Sequence, residues 1–124
     1  MNKIRGYEDL KVWQQAMTLV ELVYIATKKF PKQEQYRLVD QLCRAVVSVP
    51  SNIAEGCMRH TTKEYIRFVG IAQGSLAEVE TQVMIARRLH FLEENEYLHI
   101  MNVASEVGKM LNGLNSSLVK KANY

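Results

Sequence analysis

The sequence predicts an all-α protein: an antiparallel up-down-up-down four-helix bundle that forms a single domain over residues 1–124. Apolar residues recur every three to four positions along four long segments, which is the period of an amphipathic helix. The chain contains only two prolines and six glycines, which argues against a strand-and-turn architecture. Because the connections between the segments are short, successive helices are expected to fold back on one another.

The first two predicted helices cover residues 8–30 and 33–58. The predicted core row of the first helix consists of Leu10, Trp13, Met17, Val20, Tyr24 and Thr27. A second apolar row lies beside it and consists of Val12, Ala16, Leu19, Val23 and Ala26. A helix that is apolar over so wide an arc needs neighbours on two sides, which motivates oligomerisation. In the second helix, Pro50 removes a backbone hydrogen bond, so the sequence predicts a kink or a break nearby.

The last two predicted helices cover residues 62–90 and 94–120. The third opens with Thr61-Thr-Lys-Glu64, which fits a capping box in which a threonine hydroxyl accepts a hydrogen bond from the Glu64 amide. Its predicted apolar row consists of Phe68, Ala72, Leu76, Val79, Val83 and Ala86. The row of the fourth consists of Leu98, Met101, Ala104, Val107, Leu111, Leu114 and Leu118.

Composition restricts the class of protein. The net charge of +3 is mild and does not by itself mark a nucleic-acid-binding protein. No apolar run approaches the length of a membrane span, and the N-terminus lacks the apolar core of a signal peptide. Cys43 and Cys57 lie in one helical stretch, about 21 Å apart at 1.5 Å per residue, which is beyond disulfide reach. These features favour a reducing cytoplasm and no contact with a membrane.

No catalytic residue, cofactor site or metal site is predicted. Glu96 and His99 match the Glu-x-x-His pattern of di-iron bundle proteins, but that site needs two such motifs and two further glutamates. An exposed first helical turn explains this single motif better, because acidic residues favour helix N-termini. The chain also lacks a glycine-rich phosphate loop and a recognisable nucleophile elbow.

A polar stripe recurs at helical spacing on the second and third helices. It consists of Arg44, Ser48, Ser51, Asn52 and Glu55 on the second and of Glu64, Arg67, Ser75 and Glu78 on the third. Facing stripes would form a hydrogen-bonded, charge-paired layer, with Arg44 opposite Glu78 as an example. The same residues would alternatively face solvent or form a surface for a ligand or partner.

Basic residues cluster near the predicted helix ends. The candidates for contact with nucleic acid are Lys28, Lys29, Lys32, Arg59, Lys63, Arg87 and Arg88. In an antiparallel bundle, all of these except Arg59 and Lys63 share one end and form a positive rim. Such cations can contact phosphates without reading sequence, or they can simply stabilise helix C-termini and keep the surface soluble.

Three stretches resemble a known family. They are Tyr7-Glu-Asp-Leu-Lys-Val-Trp13, the segment from Arg44 to Gly56 that contains Ser48-Val-Pro50-Ser-Asn52, and the segment from Glu64 to Glu78. Together they are similar to the bacterial four-helix-bundle proteins named for open reading frames in 23S rRNA intervening sequences. The likeness covers nearly the whole chain.

The resemblance implies a ring-shaped homopentamer and a relation to accessory variability proteins of diversity-generating retroelements. Those relatives are basic barrels that bind nucleic acid and a reverse transcriptase, and the family pattern supplies no catalytic residue. The resulting hypothesis is a non-enzymatic, pentameric scaffold that binds RNA or DNA weakly beside an RNA-processing or reverse-transcription partner. The alternative is a protein-interaction scaffold with no nucleic-acid role.

Overall fold

The computed structural model describes residues 6–123, and this part of the chain is all-helical, with four long helices and no strand. The helices are α1 (Lys11–Thr27), α2 (Leu38–Cys57), α3 (Thr62–Arg88) and α4 (Glu94–Ala122). Two short 3-10 helices, Tyr7–Asp9 and Lys32–Glu34, precede α1 and α2. The predicted all-α class is confirmed. Residues 1–5, which include most of the N-terminus considered for a signal peptide, lie outside the described residues.

The four long helices pack in a closed cycle, with α1 against α2, α2 against α3, α3 against α4, and α4 against α1. Cross-helix hydrogen bonds join Gln41 to Gln82 and Ser48 to Ser75, so residue numbers rise on α2 where they fall on α3. The direction is the one that an antiparallel order predicts. Each helix therefore has two neighbours against which to bury an apolar face.

One continuous apolar core lies between the helices. Its largest fully buried side chains are Leu19, Val23, Leu42, Val46, Val49, Ile53, Val69, Val79, Val83, Val107 and Leu111. Full burial of one such side chain contributes about 1.5–3 kcal/mol, so this core is the main source of the bundle's stability. The predicted apolar row of α3 is buried throughout.

In α1 most of the predicted core row is wrong, since Thr27 is its only buried member. The buried row is the second one, which contains Val12, Ala16, Leu19, Val23 and Ala26. Among the residues assigned to the core, Met17 is 38% exposed and Tyr24 is 45% exposed. The two rows are neighbours on one helix, and both are apolar. The smaller row packs inside because alanine and valine allow α1 to approach its neighbours closely.

The first two helices also begin later than predicted. Residues 7–9 form a 3-10 turn, and Leu10 then adopts an extended conformation before α1 begins at Lys11. Residues 32–34 form the second 3-10 turn, and Arg37 has a non-helical backbone (φ −119°, ψ −103°) at the start of α2. A capping or turn conformation at these positions interrupts the helical period without interrupting the apolar pattern.

The second helix runs without a break through Pro50. Of the two alternatives predicted there, the break is therefore wrong, and a kink stays a prediction. Ser51 Oγ donates to the Val47 carbonyl and Asn52 Nδ2 donates to the Ser48 carbonyl, both at 2.8 Å. Each of these side chains bonds the carbonyl four residues before its own position, a pattern that often accompanies a bend in a helix. Neither bonds the Val46 carbonyl, which Pro50 leaves without its amide donor.

The ends of α3 have defined caps. Thr61 Oγ1 accepts a hydrogen bond from the Glu64 amide at 3.1 Å, as the capping-box pattern predicts for the threonine. At the other end His90 has a positive φ of 64°, and the Phe91 amide donates to the Ala86 carbonyl at 2.9 Å. This six-to-one hydrogen bond is typical of a Schellman motif. It turns the chain sharply toward α4.

In α4 most of the predicted row lies inside, but Leu98 is 56% exposed. Ile100 and Val103 are buried in addition to Ala104, Val107, Leu111 and Leu118. The buried face near the start of α4 is therefore rotated relative to the predicted one. Phe91 lies just before α4, and the centre of its ring is 5.5 Å from the centre of the Phe30 ring. The two rings close this end of the core.

Candidate interaction surfaces

The centre of the predicted polar stripe is a hydrogen-bonded cluster between α2 and α3. Ser48 Oγ and Ser75 Oγ lie 2.8 Å apart, and Asn52 Nδ2 donates to Ser48 Oγ at 2.8 Å. The three side chains are partly buried. No buried polar atom of these three side chains lacks a partner, so the cluster joins the two helices without an unsatisfied buried group.

The charged members of the stripe do not form the layer that was predicted. Arg44 pairs with Asp40 on its own helix, at 3.3 Å, and the predicted pair of Arg44 with Glu78 does not form. Asp40 lies one turn before Arg44, where side chains meet without crossing between helices. Glu78 instead accepts a hydrogen bond from Gln82 at 3.2 Å.

The turn between α2 and α3 gathers arginines around Phe68. The guanidinium carbons of Arg59 and Arg67 lie 4.7 and 5.2 Å from the centre of its ring, within the range of cation–π attraction. Arg59 also pairs with Glu55 at 2.6 Å. The structure thus brings Arg67, assigned to the polar stripe, beside Arg59, assigned to nucleic-acid contact.

The predicted positive rim is partly neutralised. Lys29 pairs with Glu96 at 2.7 Å, and Arg87 pairs with Glu94 at 2.8 Å and lies over the Tyr97 ring. Their glutamate partners raise the pKa of both basic side chains. The glutamates lie in the first turn of α4, where the helix dipole favours acidic residues, and this is the contact that sequence reasoning missed.

The remaining basic candidates have no carboxylate partner among the residues that the structure describes. Within residues 6–123, no ion pair involves Lys28, Lys32, Lys63 or Arg88. Lys28 and Lys32 lie after the end of α1, as Lys29 does, and Arg88 is the last residue of α3, next to Arg87. Of the predicted rim, these three cations are therefore the ones available to an anionic partner.

An apolar groove lies between α1 and α2. It has a volume of about 300 Å³ and is lined by Trp13, Met17, Val20, Val47, Pro50, Ser51 and Ala54. Three of its residues, together with Tyr24, make up the outer row of α1: Trp13, Met17, Val20 and Tyr24. The groove is thus formed by the α1 row that was expected in the core, beside the proline of α2.

A second groove, the α2–α3 groove, has a volume of about 490 Å³. Its lining residues are Leu38, Gln41, Ala77, Glu78, Thr81, Gln82 and Ile85. Of these, only Glu78 belongs to the predicted polar stripe. On α2 its lining residues lie seven to ten positions before Ser48, and on α3 two to ten positions after Ser75. The helical periodicity did not predict this groove, because the predicted apolar row of α3 did not include Gln82, although that residue is buried among core positions.

Burial raises the pKa of two side chains of α3. Partial burial raises the pKa of the Glu80 carboxyl, which belongs to α3 but does not line the α2–α3 groove. Burial also raises the pKa of the Tyr65 hydroxyl, and the neighbouring Cys57 raises it further. Both shifts oppose ionisation, and neither residue was a predicted site residue.

The described part of the chain offers no group of three or more His, Cys, Asp or Glu side chains that could hold a metal ion. Glu96, considered as a metal ligand with His99, instead pairs with Lys29. None of the helices within residues 6–123 is both long enough and apolar enough to cross a membrane.

The fold and the surfaces together define a four-helix protein. Its surface carries two grooves and several basic side chains that have no carboxylate partner among the described residues. The family model of the 23S rRNA-intervening sequence protein matches residues 8–113, and the chain belongs to this family. No curated protein matches the chain.

A solved structure from Bacteroides thetaiotaomicron, described as a protein of unknown function from the S23 ribosomal protein family, has the same fold. The two structures superpose with a TM-score of 0.76 at 21% sequence identity. The match covers 84% of this chain and 97% of the Bacteroides chain. The predicted family is confirmed, and this neighbour, at its low identity, supports the fold alone.

Proposed function

We propose that the protein is a non-enzymatic scaffold that assembles with copies of itself, as a pentamer, and binds RNA or DNA weakly through exposed cations. The observation that carries this proposal is the outer row of α1. Trp13, Met17, Val20 and Tyr24 retain exposed apolar surface beside Val47 of α2, which is 40% exposed. Contiguous apolar surface of this kind is typical of interfaces.

Lys28, Lys32 and Arg88 support the nucleic-acid part of the proposal. Cations without carboxylate partners can neutralise phosphates and release the counterions that surround a nucleic acid. Three cations and a net charge of +3 favour weak binding that does not depend on sequence. The free thiols of Cys43 and Cys57 fit a role in the reducing cytoplasm.

A protein-interaction scaffold with no nucleic-acid role is the second candidate. It is favoured by the pairing of Lys29, Arg59 and Arg87 with glutamates, since a paired cation has less charge to offer to a phosphate. Under this alternative the assembled surface recruits another protein, such as a reverse transcriptase, and the cations only keep the surface soluble.

The substitution Met17→Glu tests whether the outer row of α1 mediates assembly. A carboxylate in the α1–α2 groove would be desolvated on assembly, so the variant is expected to sediment as a smaller species with unchanged helicity. The measurement is sedimentation velocity together with circular dichroism.

Met84→Glu is the matched control. Met84 is 43% exposed, against 38% for Met17, and it lies on α3 outside the α1–α2 groove. The control is expected to keep the mass of the wild type. Equal dissociation by both variants, or by neither, would contradict assembly through the outer row of α1.

A further inference from the structure

Gln82, which lines the α2–α3 groove, carries a buried hydrogen-bond acceptor without a donor. Gln82 is only 7% exposed, and its Oε1 atom has no hydrogen-bond partner among the described residues. A buried polar atom that lacks a partner costs about 1–3 kcal/mol. The bundle would avoid this cost with an apolar residue at position 82, so the glutamine calls for an explanation beyond core packing.

The orientation of the Gln82 amide is fixed by its neighbours. Gln82 Nε2 donates to Glu78 Oε2 at 3.2 Å and to Gln41 Oε1 at 3.4 Å. A rotated amide would place its oxygen against the Glu78 carboxylate, which can only accept. Both hydrogen bonds exceed the usual length of about 2.9–3.0 Å, so the side chain has room to shift toward a donor that enters the groove.

Thr81 and Glu78 add further acceptors to the groove. Thr81 Oγ1 already donates its proton to the Ala77 carbonyl at 2.8 Å, which leaves only lone pairs to offer. Glu78 forms no ion pair within the described part of the chain. Leu38 and Ile85 supply apolar walls beside these acceptors. The matching ligand therefore carries several N–H donors, a positive charge and an apolar stem.

We propose that the α2–α3 groove binds an arginine side chain of a partner protein. A guanidinium has five N–H donors in one plane, so it can donate to the Glu78 carboxylate and to the unpartnered Gln82 Oε1. Its methylenes pack on Leu38 and Ile85. A lysine ammonium is compact and more strongly hydrated, which makes it a poorer match for acceptors spread along a groove.

The inference rests on the proposed scaffold function in one respect, that the arginine belongs to a protein partner. The volume of about 490 Å³ falls within the range of about 300–1,000 Å³ that is typical of ligand sites. The groove belongs to one protomer, so binding to it can be measured whether or not the protein assembles.

The experiment is an NMR titration of the full chain with Nα-acetyl-arginine amide, followed at the Ile85 methyl groups and the Gln82 side-chain amide. We expect saturable shifts at these groups, with a Kd of about millimolar for so small a probe. The matching lysine and norleucine amides should bind at least about tenfold more weakly, since each lacks the planar set of donors.

Three variants give the test its specificity. Glu78→Gln is expected to weaken arginine binding about tenfold or more, because it removes the charge-assisted partner. Glu80→Gln makes the same charge change on the same helix outside the groove, and should leave binding unchanged. Gln82→Met removes the orphan acceptor, and should raise the melting temperature while it weakens arginine binding.

Several results would overturn the proposal: equal binding of the arginine and lysine probes, equal losses in Glu78→Gln and Glu80→Gln, or full binding by Gln82→Met. If the role of Gln82 were purely structural, the substitution Gln82→Met would change stability and leave arginine binding unchanged. Saturable arginine binding by a protein that sediments as a monomer would refute the proposed assembly and still support the groove. A pentamer that fails to bind the probe would do the reverse.

Discussion

Lys29 and Arg87 were predicted to contact nucleic acid, but each pairs with a glutamate from the first turn of α4. Each charge has a local explanation in the sequence, because cations favour helix C-termini and acids favour helix N-termini. The sequence therefore offered no reason to pair them. What it did not contain is the closure of the bundle end that brings them within hydrogen-bonding distance. Lys28 is next to Lys29 in sequence and Arg88 is next to Arg87, but neither Lys28 nor Arg88 forms an ion pair within the described residues.

This difference predicts which cations contribute to nucleic-acid binding. Lys28→Gln with Arg88→Gln should weaken binding of a short RNA and reduce the salt dependence of its affinity by about two phosphate contacts. Lys29→Gln with Arg87→Gln makes the same change in net charge but removes cations that are already paired, so its effect should be smaller. Fluorescence anisotropy over a series of salt concentrations measures both. Equal effects of the two double variants would contradict specific contact by the unpaired cations.

Local patterns at single residues were predictable where both partners lie close in sequence. The Thr61 cap is an example, because its hydrogen bond spans only three residues. The pair of Arg44 with Glu78 was wrong because Asp40, one turn away on the same helix, competes successfully for the guanidinium. The orphan oxygen of Gln82 depends on packing between helices, and no spacing rule identifies it.

At the scale of the helices, periodicity predicted four segments and the class of fold but misassigned the faces of α1. Two adjacent apolar rows satisfy the same period, and the choice between them depends on how closely α2 and α4 approach. The ends of α1 and α2 were misplaced for a related reason, because 3-10 turns continue an apolar pattern without continuing the helix.

The contact between α2 and α3 gives a prediction about stability. A Cβ atom at Gly56 would lie 2.8 Å from Phe68 Cβ and 3.1 Å from the Tyr65 ring, so α2 and α3 would have to move apart. Gly56→Ala is therefore expected to destabilise the fold by about 1–3 kcal/mol, less any gain in helix propensity. Chemical denaturation measures the change.

Gly74→Ala is the control for this contact. A Cβ at Gly74 meets nothing within 4 Å, so the helix propensity of alanine should stabilise the protein by about 0.5–1 kcal/mol. If Gly56→Ala were as stabilising as Gly74→Ala, the close packing of α2 on α3 would not limit the residue at position 56.

At the scale of the whole molecule, the bundle satisfies its core and still leaves the outer row of α1 partly exposed. The two apolar rows of α1 suggested from the sequence alone that the helix needs neighbours on two sides. The bundle supplies both, α2 and α4, so the case for a further neighbour rests on the apolar surface that the outer row still exposes. The row turned outward contains the larger side chains, Trp13, Met17 and Tyr24, and aromatic residues and methionine are enriched in interfaces. Family membership supports the fold, and the exposed outer row of α1 supports self-assembly, which is the central proposal.

The most direct test of that proposal is the mass of the wild-type protein in solution, measured by sedimentation equilibrium over a wide range of concentrations. The proposed pentamer predicts a species of about 72 kDa, five times the chain mass of 14.3 kDa, that persists on dilution. A mass of 14.3 kDa at every concentration would contradict assembly and leave the outer row of α1 without its proposed role.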